Sequence, residues 1–161
     1  MQTNLTFDRT KQRALPVWLP LLAALLIVAR IVSWKYPAMA DVDLVHWTDP
    51  ALAAGMARGT HRPILYEFSA EWCGPCHQLE REVFMDPDLA AKINSRYIAV
   101  KVVDRQREDG HNAGSVQELL DRYGVNGFPT IVIAAGDGSV RDRTMGYFGR
   151  DKFAQFIDRV R

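Results

Sequence analysis

Three short apolar runs lie in the chain after residue 60, and each is bounded by polar residues or glycine. They mix aliphatic and aromatic side chains, which is typical of buried strands. The runs that predict strands are 63–69, 97–103 and 130–134. A fourth strand, 139–144, is expected to form a hairpin with the third, because the turn residues Gly136-Asp137-Gly138 separate them.

Stretches of helical character lie before, between and after these strands. Thr48 is a candidate N-cap for a first helix that starts at Asp49, and Gly59 is expected to end it after Arg58. Further helices are predicted over 77–83, over 88–93 behind the capping pair Asp86-Pro87, and over 116–123 and 151–160. The polar segment 105–115 is predicted to be a loop. This order predicts an α/β fold in which helices cover both faces of a mixed sheet.

The first 40 residues have a different pattern. Residues 14–29 contain no charged side chain, and the apolar character continues past Arg30 to Trp34. An uncleaved membrane anchor over 14–34 has the length of about 20 residues that a spanning helix needs, with Arg30 reaching to the headgroups. The alternative is a signal peptide cleaved after Ala40. We favour the anchor, and a helix buried in the folded domain is a third interpretation.

Both membrane interpretations place most of the chain outside the cytoplasm. The basic residues Arg9, Lys11 and Arg13 precede the apolar run, and basic flanks stay on the cytoplasmic side. The chain is therefore expected to divide into an N-terminal segment, 1–40, and an exported domain, 41–161. In a bacterium this predicts a single-pass inner-membrane protein with a periplasmic domain, or a soluble periplasmic one after cleavage.

Composition removes several classes of function. The formal net charge of +1 gives no electrostatic case for a nucleic-acid partner. The two cysteines are separated by only two residues, which excludes a framework of structural disulfides. A structural zinc site needs four ligands, and no second cysteine pair supplies them. We therefore expect no metal and no cofactor apart from the cysteine pair itself.

The sequence Cys73-Gly74-Pro75-Cys76 follows directly on the first predicted strand, where a helix starts. A cysteine at a helix N-terminus has its thiolate stabilised by free backbone N–H groups and by the helix dipole. Cys73 is therefore expected to be an exposed, attacking sulfur, and Cys76, one turn later, the resolving one. Pro75 keeps the turn rigid, and Trp72 is expected to shield one side of the pair.

Glu67 lies six residues before Cys73 on the central predicted strand, among apolar neighbours. Burial would raise the pKa of this carboxyl, which could then move a proton to or from Cys76. An edge position facing water is the alternative for Glu67. Lys101 on the second strand is a candidate electrostatic partner of Glu67, although we favour a lysine that faces solvent.

The same cysteines together with His77 also match the Cys-x-x-Cys-His motif of c-type haem attachment. A haem electron carrier is therefore an alternative function. We set it aside because the motif follows a strand and Trp72, and because a small cytochrome has no use for the distant Phe128-Pro129-Thr130.

Trp72-Cys73-Gly74-Pro75-Cys76 resembles the active-site motif of the thioredoxin superfamily, and Gly127-Phe128-Pro129-Thr130 resembles its cis-proline loop. The resemblance covers about residues 44–161 and implies a thioredoxin fold with four to five strands. It also implies that Pro129 faces the disulfide and that Phe128 supports the substrate site. Glu67 falls where the family usually has a buried Asp.

A finer resemblance is to the C-terminal thioredoxin-like domain of bacterial membrane thiol:disulfide interchange proteins. It rests on the lead-in 47–62, on Glu82-Val83-Phe84 and on Asp86-Pro87. It implies a thiol:disulfide oxidoreductase in a membrane context. The Gly74-Pro75 dipeptide resembles that of reducing thioredoxins, so we expect reduction of exported protein disulfides with electrons from a membrane donor, and we expect a monomer. A disulfide oxidase or isomerase, and a binding module without redox turnover, are the alternatives.

Overall fold

The computed structural model describes residues 18–35 and 42–160 of the 161-residue chain. The chain divides into two units, Met1–Ala40 and Asp41–Arg161. The described part of the first unit is one helix, α1 (Trp18–Lys35). Within the two described ranges, no helix combines the length and the apolar character needed to cross a membrane. The start of the predicted anchor, 14–17, and the proposed cleavage site at Ala40 lie outside the described residues.

The second unit is built on a mixed sheet of four strands in the order β2-β1-β3-β4. The strands are β1 (Ile64–Ala70), β2 (Ile98–Asp104), β3 (Thr130–Ala134) and β4 (Val140–Met145). β1 runs parallel to β2 and antiparallel to β3, and β3 and β4 form the predicted hairpin. Since every residue of β1 is buried, this strand is the centre of the domain.

Helices cover both faces of the sheet, as predicted. They are α2 (Pro50–Thr60), α3 (Gly74–Leu79), α4 (Pro87–Arg96), α5 (Gln106–Asp109), α6 (Gly114–Arg122) and α7 (Arg150–Arg159). Alternate residues of a strand point to opposite faces. Leu65 accordingly packs with α3, α4 and α7, while Tyr66 packs with α2 and α6. The predicted thioredoxin-type architecture is confirmed.

The helix that follows Cys73 starts earlier than predicted and changes its geometry midway. Gly74 and Pro75 already belong to its first turn, where the missing N–H of proline costs nothing. A π-helical segment, Glu80–Phe84, continues α3 directly. The predicted helix over 77–83 is therefore one part of a longer helical stretch from Gly74 to Phe84.

Two boundaries of α2 differ from the prediction. Asp49, and not Thr48, is the N-cap, and its Oδ1 accepts a hydrogen bond of 2.7 Å from the Ala51 N–H. The helix also passes through Gly59 and ends at Thr60, where His61 adopts the left-handed conformation with φ 57°. Both Asp and Thr are good caps, so the sequence pattern did not separate these neighbours.

The predicted loop 105–115 is wrong over part of its length. It contains the short helix α5, and α6 starts at Gly114. Asn112 organises the segment, because its Oδ1 accepts from the Arg105 N–H at 2.7 Å and its Nδ2 donates to Asp104 at 2.5 Å. Local hydrogen bonds of the Asn112 side chain hold this segment in place, and the pattern of apolar residues does not reveal such bonds.

The lead-in segment before α2 lies along β2. Trp47 forms an isolated parallel bridge to Ala99, and the Thr48 N–H donates to the Ala99 carbonyl at 2.7 Å. The Trp47 ring meets the Phe84 ring edge-on, with 5.0 Å between ring centroids. The indole Nε1–H of Trp47 donates to Asp43 at 2.6 Å. These contacts fix Asp43 beside the helical stretch from Gly74 to Phe84.

Candidate functional site

Cys73 and Cys76 are joined by a disulfide at the start of α3, with their Cα atoms 5.3 Å apart. Cys73 is the N-cap residue, and its Sγ accepts a hydrogen bond of 3.2 Å from the Cys76 N–H. Its carbonyl accepts from the N–H groups of Cys76 and His77. When the bond is reduced, the Cys76 N–H and the position at the helix N-terminus favour a thiolate on Cys73.

The expectation of an exposed sulfur on Cys73 is wrong for the oxidised protein. Cys73 is 2% exposed and Cys76 is 6% exposed. Both belong to a small cluster with Ala70, and the ring of Phe128 packs against it. Phe128 comes from a loop more than fifty residues later in the chain, so no local pattern around the cysteines indicates this cover.

Trp72 and the loop before β3 form the rim of the site. Trp72 is half exposed, and its ring meets that of Phe128 edge-on at 6.0 Å between centroids. The Phe128–Pro129 peptide bond is cis, and Pro129 is buried. The carbonyl of Pro129 accepts a hydrogen bond of 2.7 Å from the Gly146 N–H, which ties the loop to the end of β4.

Glu67 lies in the interior on β1 and is 1% exposed. Its Oε2 accepts a hydrogen bond of 3.0 Å from the Ser69 hydroxyl. Burial raises the pKa of Glu67 to about 7, although the charge of Lys101 and the bond from Ser69 both act to lower it. Glu67 and Cys76 line the same cleft, together with Glu80 and Lys101. A water in that cleft can carry a proton between the carboxyl and the sulfur.

Lys101 is held inside the cleft, so the favoured expectation of a solvent-facing lysine is wrong. Its Nζ lies 2.6 Å from the Glu80 carboxylate and 3.4 Å from that of Asp43. Burial alone would lower the pKa of Lys101. The hydrogen bond to Glu80 and the negative charges of Glu67, Glu80 and Asp43 outweigh it and raise that pKa. Lys101 therefore stays charged beside Glu67.

Two residues of this cluster, Glu80 and Asp43, are absent from the sequence-based site. A signal for Glu80 exists, because it follows Cys76 by four residues on one helical stretch and so shares its face. No comparable signal exists for Asp43, which reaches the site only through the fold of the lead-in segment.

His77 follows Cys76 on α3 and lines the same cleft. The His77 ring nitrogen Nε2 lies 2.8 Å from the carbonyl of Glu71, and half of the His77 side chain is exposed. Over 18–35 and 42–160, the structure contains no group of three or more His, Cys, Asp or Glu side chains that could hold a metal ion.

Comparison with known sequences adds a family and several relatives. The family described as a thioredoxin-like domain matches residues 51–161. The thiol:disulfide interchange protein DsbD of Yersinia pestis (strain Pestoides F) is 26% identical over 147 residues, which cover 85% of this chain and 24% of that protein. DsbD of Photorhabdus laumondii is 23% identical over 107 residues, which cover 65% of this chain and 18% of that protein. The chain thus spans about a fifth to a quarter of the length of these relatives.

Solved structures share the fold. A DsbH oxidoreductase superposes with a TM-score of 0.64 at 21% identity, covering 73% of this chain and 86% of that one. A thioredoxin from Thermus thermophilus superposes with a TM-score of 0.60 at 26% identity, covering 72% of this chain and 86% of that one. The oxidised C-terminal domain of DsbD from Neisseria meningitidis superposes with a TM-score of 0.56 at 22% identity, covering 73% of this chain and 100% of that one.

Proposed function

The chain belongs to the thioredoxin-like domain family, and on this basis we propose that it is a thiol:disulfide oxidoreductase that reduces disulfides of exported proteins. The observation that carries the proposal is the Cys73–Cys76 disulfide, which caps a helix and shares a cleft with the buried carboxyl of Glu67. A haem carrier does not fit, since the Cys-x-x-Cys-His residues lie inside the matched family domain.

The first step is attack by the Cys73 thiolate on one sulfur of a substrate disulfide. A bond forms between Cys73 and that sulfur, the substrate S–S bond breaks, and the second substrate sulfur leaves as a thiolate that takes up a proton. In the second step Cys76, as a thiolate, attacks the Cys73 sulfur and releases the remaining substrate thiol. Two electrons pass to the substrate, and the protein ends with the Cys73–Cys76 disulfide.

The second step requires that Cys76 lose its proton. Glu67 is the base that the geometry supports, because both groups line one cleft and burial raises the pKa of Glu67 to about 7. A base with a pKa near the working pH accepts and returns protons with little cost in either direction. Lys101 keeps this pKa from rising further.

Phe128, Pro129 and Trp72 are proposed to receive the substrate. Trp72 and Phe128 form the apolar rim over the disulfide, and the cis-proline loop carrying Phe128 and Pro129 is fixed to β4. Gly74 and Pro75 set the turn between the two cysteines.

The reducing direction rests on the Gly74-Pro75 dipeptide, which resembles that of reducing thioredoxins. Each turnover leaves the protein oxidised, so a donor dithiol must return two electrons and two protons to it. We propose a membrane protein as that donor and a monomer as the working form.

Location outside the cytoplasm is supported by the three basic residues before the apolar run 14–34, which act as a cytoplasmic flank. The proposal divides the chain into an anchor segment, 1–40, and an exported domain, 41–161. Soluble export after cleavage at Ala40 is the alternative. A reporter enzyme active only outside the cytoplasm, fused after Arg161, should be active, and membrane fractionation separates anchored from cleaved chain.

Trapping tests the exchange reaction. In cells expressing the full chain with Cys76→Ala, acid quenching should preserve mixed disulfides on Cys73, while Cys73→Ala should give none. Absence of any mixed disulfide under both oxidising and reducing conditions would contradict the proposal. A reduction potential of about −270 mV supports a reductase and one of about −120 mV an oxidase, on the scale of known exchangers.

A further inference from the structure

The segment 105–112 lies against the active-site loop. In the register of β1 and β2, Asp104 pairs with Ala70, three residues before Cys73, so the chain leaves β2 beside the site. Arg105 then fixes the segment, since its guanidinium forms ion pairs with both Glu71 and Asp109. The segment is thus held on the residue next to Trp72.

Arg107 is the residue of this segment that reaches the rim. Its guanidinium carbon lies 5.5 Å from the centre of the Trp72 ring, within the range of a cation–π contact. Trp72 in turn contacts Phe128, whose ring packs on the disulfide. Arg107 is therefore connected to Cys73 through two rings, and its own side chain is exposed.

Arg107 lies outside the ion-pair network beside it. The acidic neighbours Glu71 and Asp109 are both paired with Arg105. Within the described part of the chain, Arg107 forms no ion pair with any carboxylate, and Glu108 follows it on another side of α5. Together with Glu71, this surface carries two arginines and three carboxylates, so attraction by Arg107 is confined to direct contact with its guanidinium.

We propose that Arg107 is a specificity-determining residue that favours partners with an acidic side chain next to their reactive cysteine. The inference rests on the proposed function. A partner whose sulfur reaches Cys73 must cross the Trp72–Phe128 rim, which brings the residues flanking its cysteine close to Arg107. A carboxylate there gains a charge-assisted contact, whereas a lysine is repelled. The relevant property is the partner's local sequence and not its net charge.

The test uses the full chain, reduced and purified in a mild detergent, with three disulfides as probes. Two are peptides with one internal disulfide that differ only in Asp or Lys beside the cysteines, balanced elsewhere to equal net charge. The third is uncharged hydroxyethyl disulfide. We expect the wild type to reduce the acidic peptide about fivefold faster than the basic one, and about 1 M salt to abolish this preference.

Variants then assign the preference to one side chain. Arg107→Gln should abolish it and Arg107→Glu should reverse it. Arg141→Glu, an exposed charge reversal on the far part of β4, should leave it intact. Unchanged rates with hydroxyethyl disulfide in each variant show that the cysteine pair itself is undamaged. If Arg107→Glu disturbs the fold, loss of the preference in Arg107→Gln is the deciding result.

The outcomes separate the two proposals. A wild type that reduces none of the three probes would overturn the proposed function. A wild type that reduces hydroxyethyl disulfide but treats both peptides alike would overturn the role of Arg107 alone. A preference for the acidic peptide that survives in Arg107→Gln would also overturn the role of Arg107 alone.

Discussion

Glu67 and Lys101 are direct register partners on the parallel strands β1 and β2. The amine of Lys101 is hydrogen-bonded to Glu80, yet its charge still lowers the pKa of Glu67 against the larger effect of burial. Burial therefore raises the pH range in which Glu67 can exchange protons, and the cation that Glu67 shares with the other carboxylates limits that rise.

Glu67 should make stability depend on pH. The pKa of Glu67 is about 7 in the fold, against 4.5 for the free side chain. Between these values the folded chain holds a proton that the unfolded chain has lost, so the free energy of unfolding falls as pH rises and the loss is complete above about pH 7. Glu67→Gln should therefore stabilise the protein by about 3 kcal/mol at pH 8 and change little at pH 4.

Urea unfolding of the oxidised chain, followed by tryptophan fluorescence, measures this difference. Glu118→Gln, an exposed change on α6, is the control and should show no pH-dependent gain. An equal effect of Glu67→Gln at both pH values would mean that Glu67 does not titrate as described.

Loss of Lys101 should shift the pH profile of the resolving step. Without this charge the pKa of Glu67 rises further, so less of the base is ionised at neutral pH. In Lys101→Met, release of substrate from the mixed disulfide should reach half its maximal rate about one pH unit higher. Rapid acid quenching across pH 5–9 measures the rate of this release in the variant and the wild type. Lys92→Met, whose partner Asp158 keeps its pair with Arg96, should match the wild type.

The ring of Phe84 holds the active-site helix to the lead-in and to α7. It is 1% exposed and meets the rings of Trp47 and Phe153 edge-on. Phe84→Ala should cost about 3–5 kcal/mol of unfolding free energy, through lost burial and the cavity left behind. Phe148→Ala, 63% exposed, should cost far less. Similar losses in both variants would show that Phe84 is not part of the core.

Gly136 leaves little room for a side chain. A Cβ there would lie 3.0 Å from the backbone nitrogen of Arg58 and 3.2 Å from the Ala57 Cβ. We expect Gly136→Ala to destabilise the domain by about 1–3 kcal/mol, since α2 would have to move. Gly114→Ala is the control, because nothing lies within 4 Å of its added Cβ. Thermal unfolding of both variants compares them, and equal midpoints would contradict the close approach.

The strands and the cysteine turn could be predicted because their signals are local. The apolar run around Glu67 indicates a buried strand by itself, and the burial of Glu67 follows from its neighbours. The N-cap of α2 was missed because Thr48 and Asp49 have nearly the same capping preference.

The cover over Cys73 and the cluster around Lys101 could not be predicted in this way. Phe128 and Asp43 meet the cysteine pair or Lys101 only through tertiary packing, whereas Glu80, four residues after Cys76 on one helical stretch, had a local signal that the prediction did not use. Helix α5 was missed for a related reason, since it depends on the bonds of Asn112 and Arg105 and not on an apolar face.

The two edges of the sheet, β2 and β4, are closed to other chains by different means. On β2, the lead-in residues Trp47 and Thr48 bond to the backbone of Ala99, so another chain cannot pair at that position. On β4, the successive charges of Arg141, Asp142 and Arg143 oppose the approach of a further strand. A shortened chain beginning after Thr48 would expose the β2 edge. Such a chain should first show self-association through that edge, before any loss of redox chemistry.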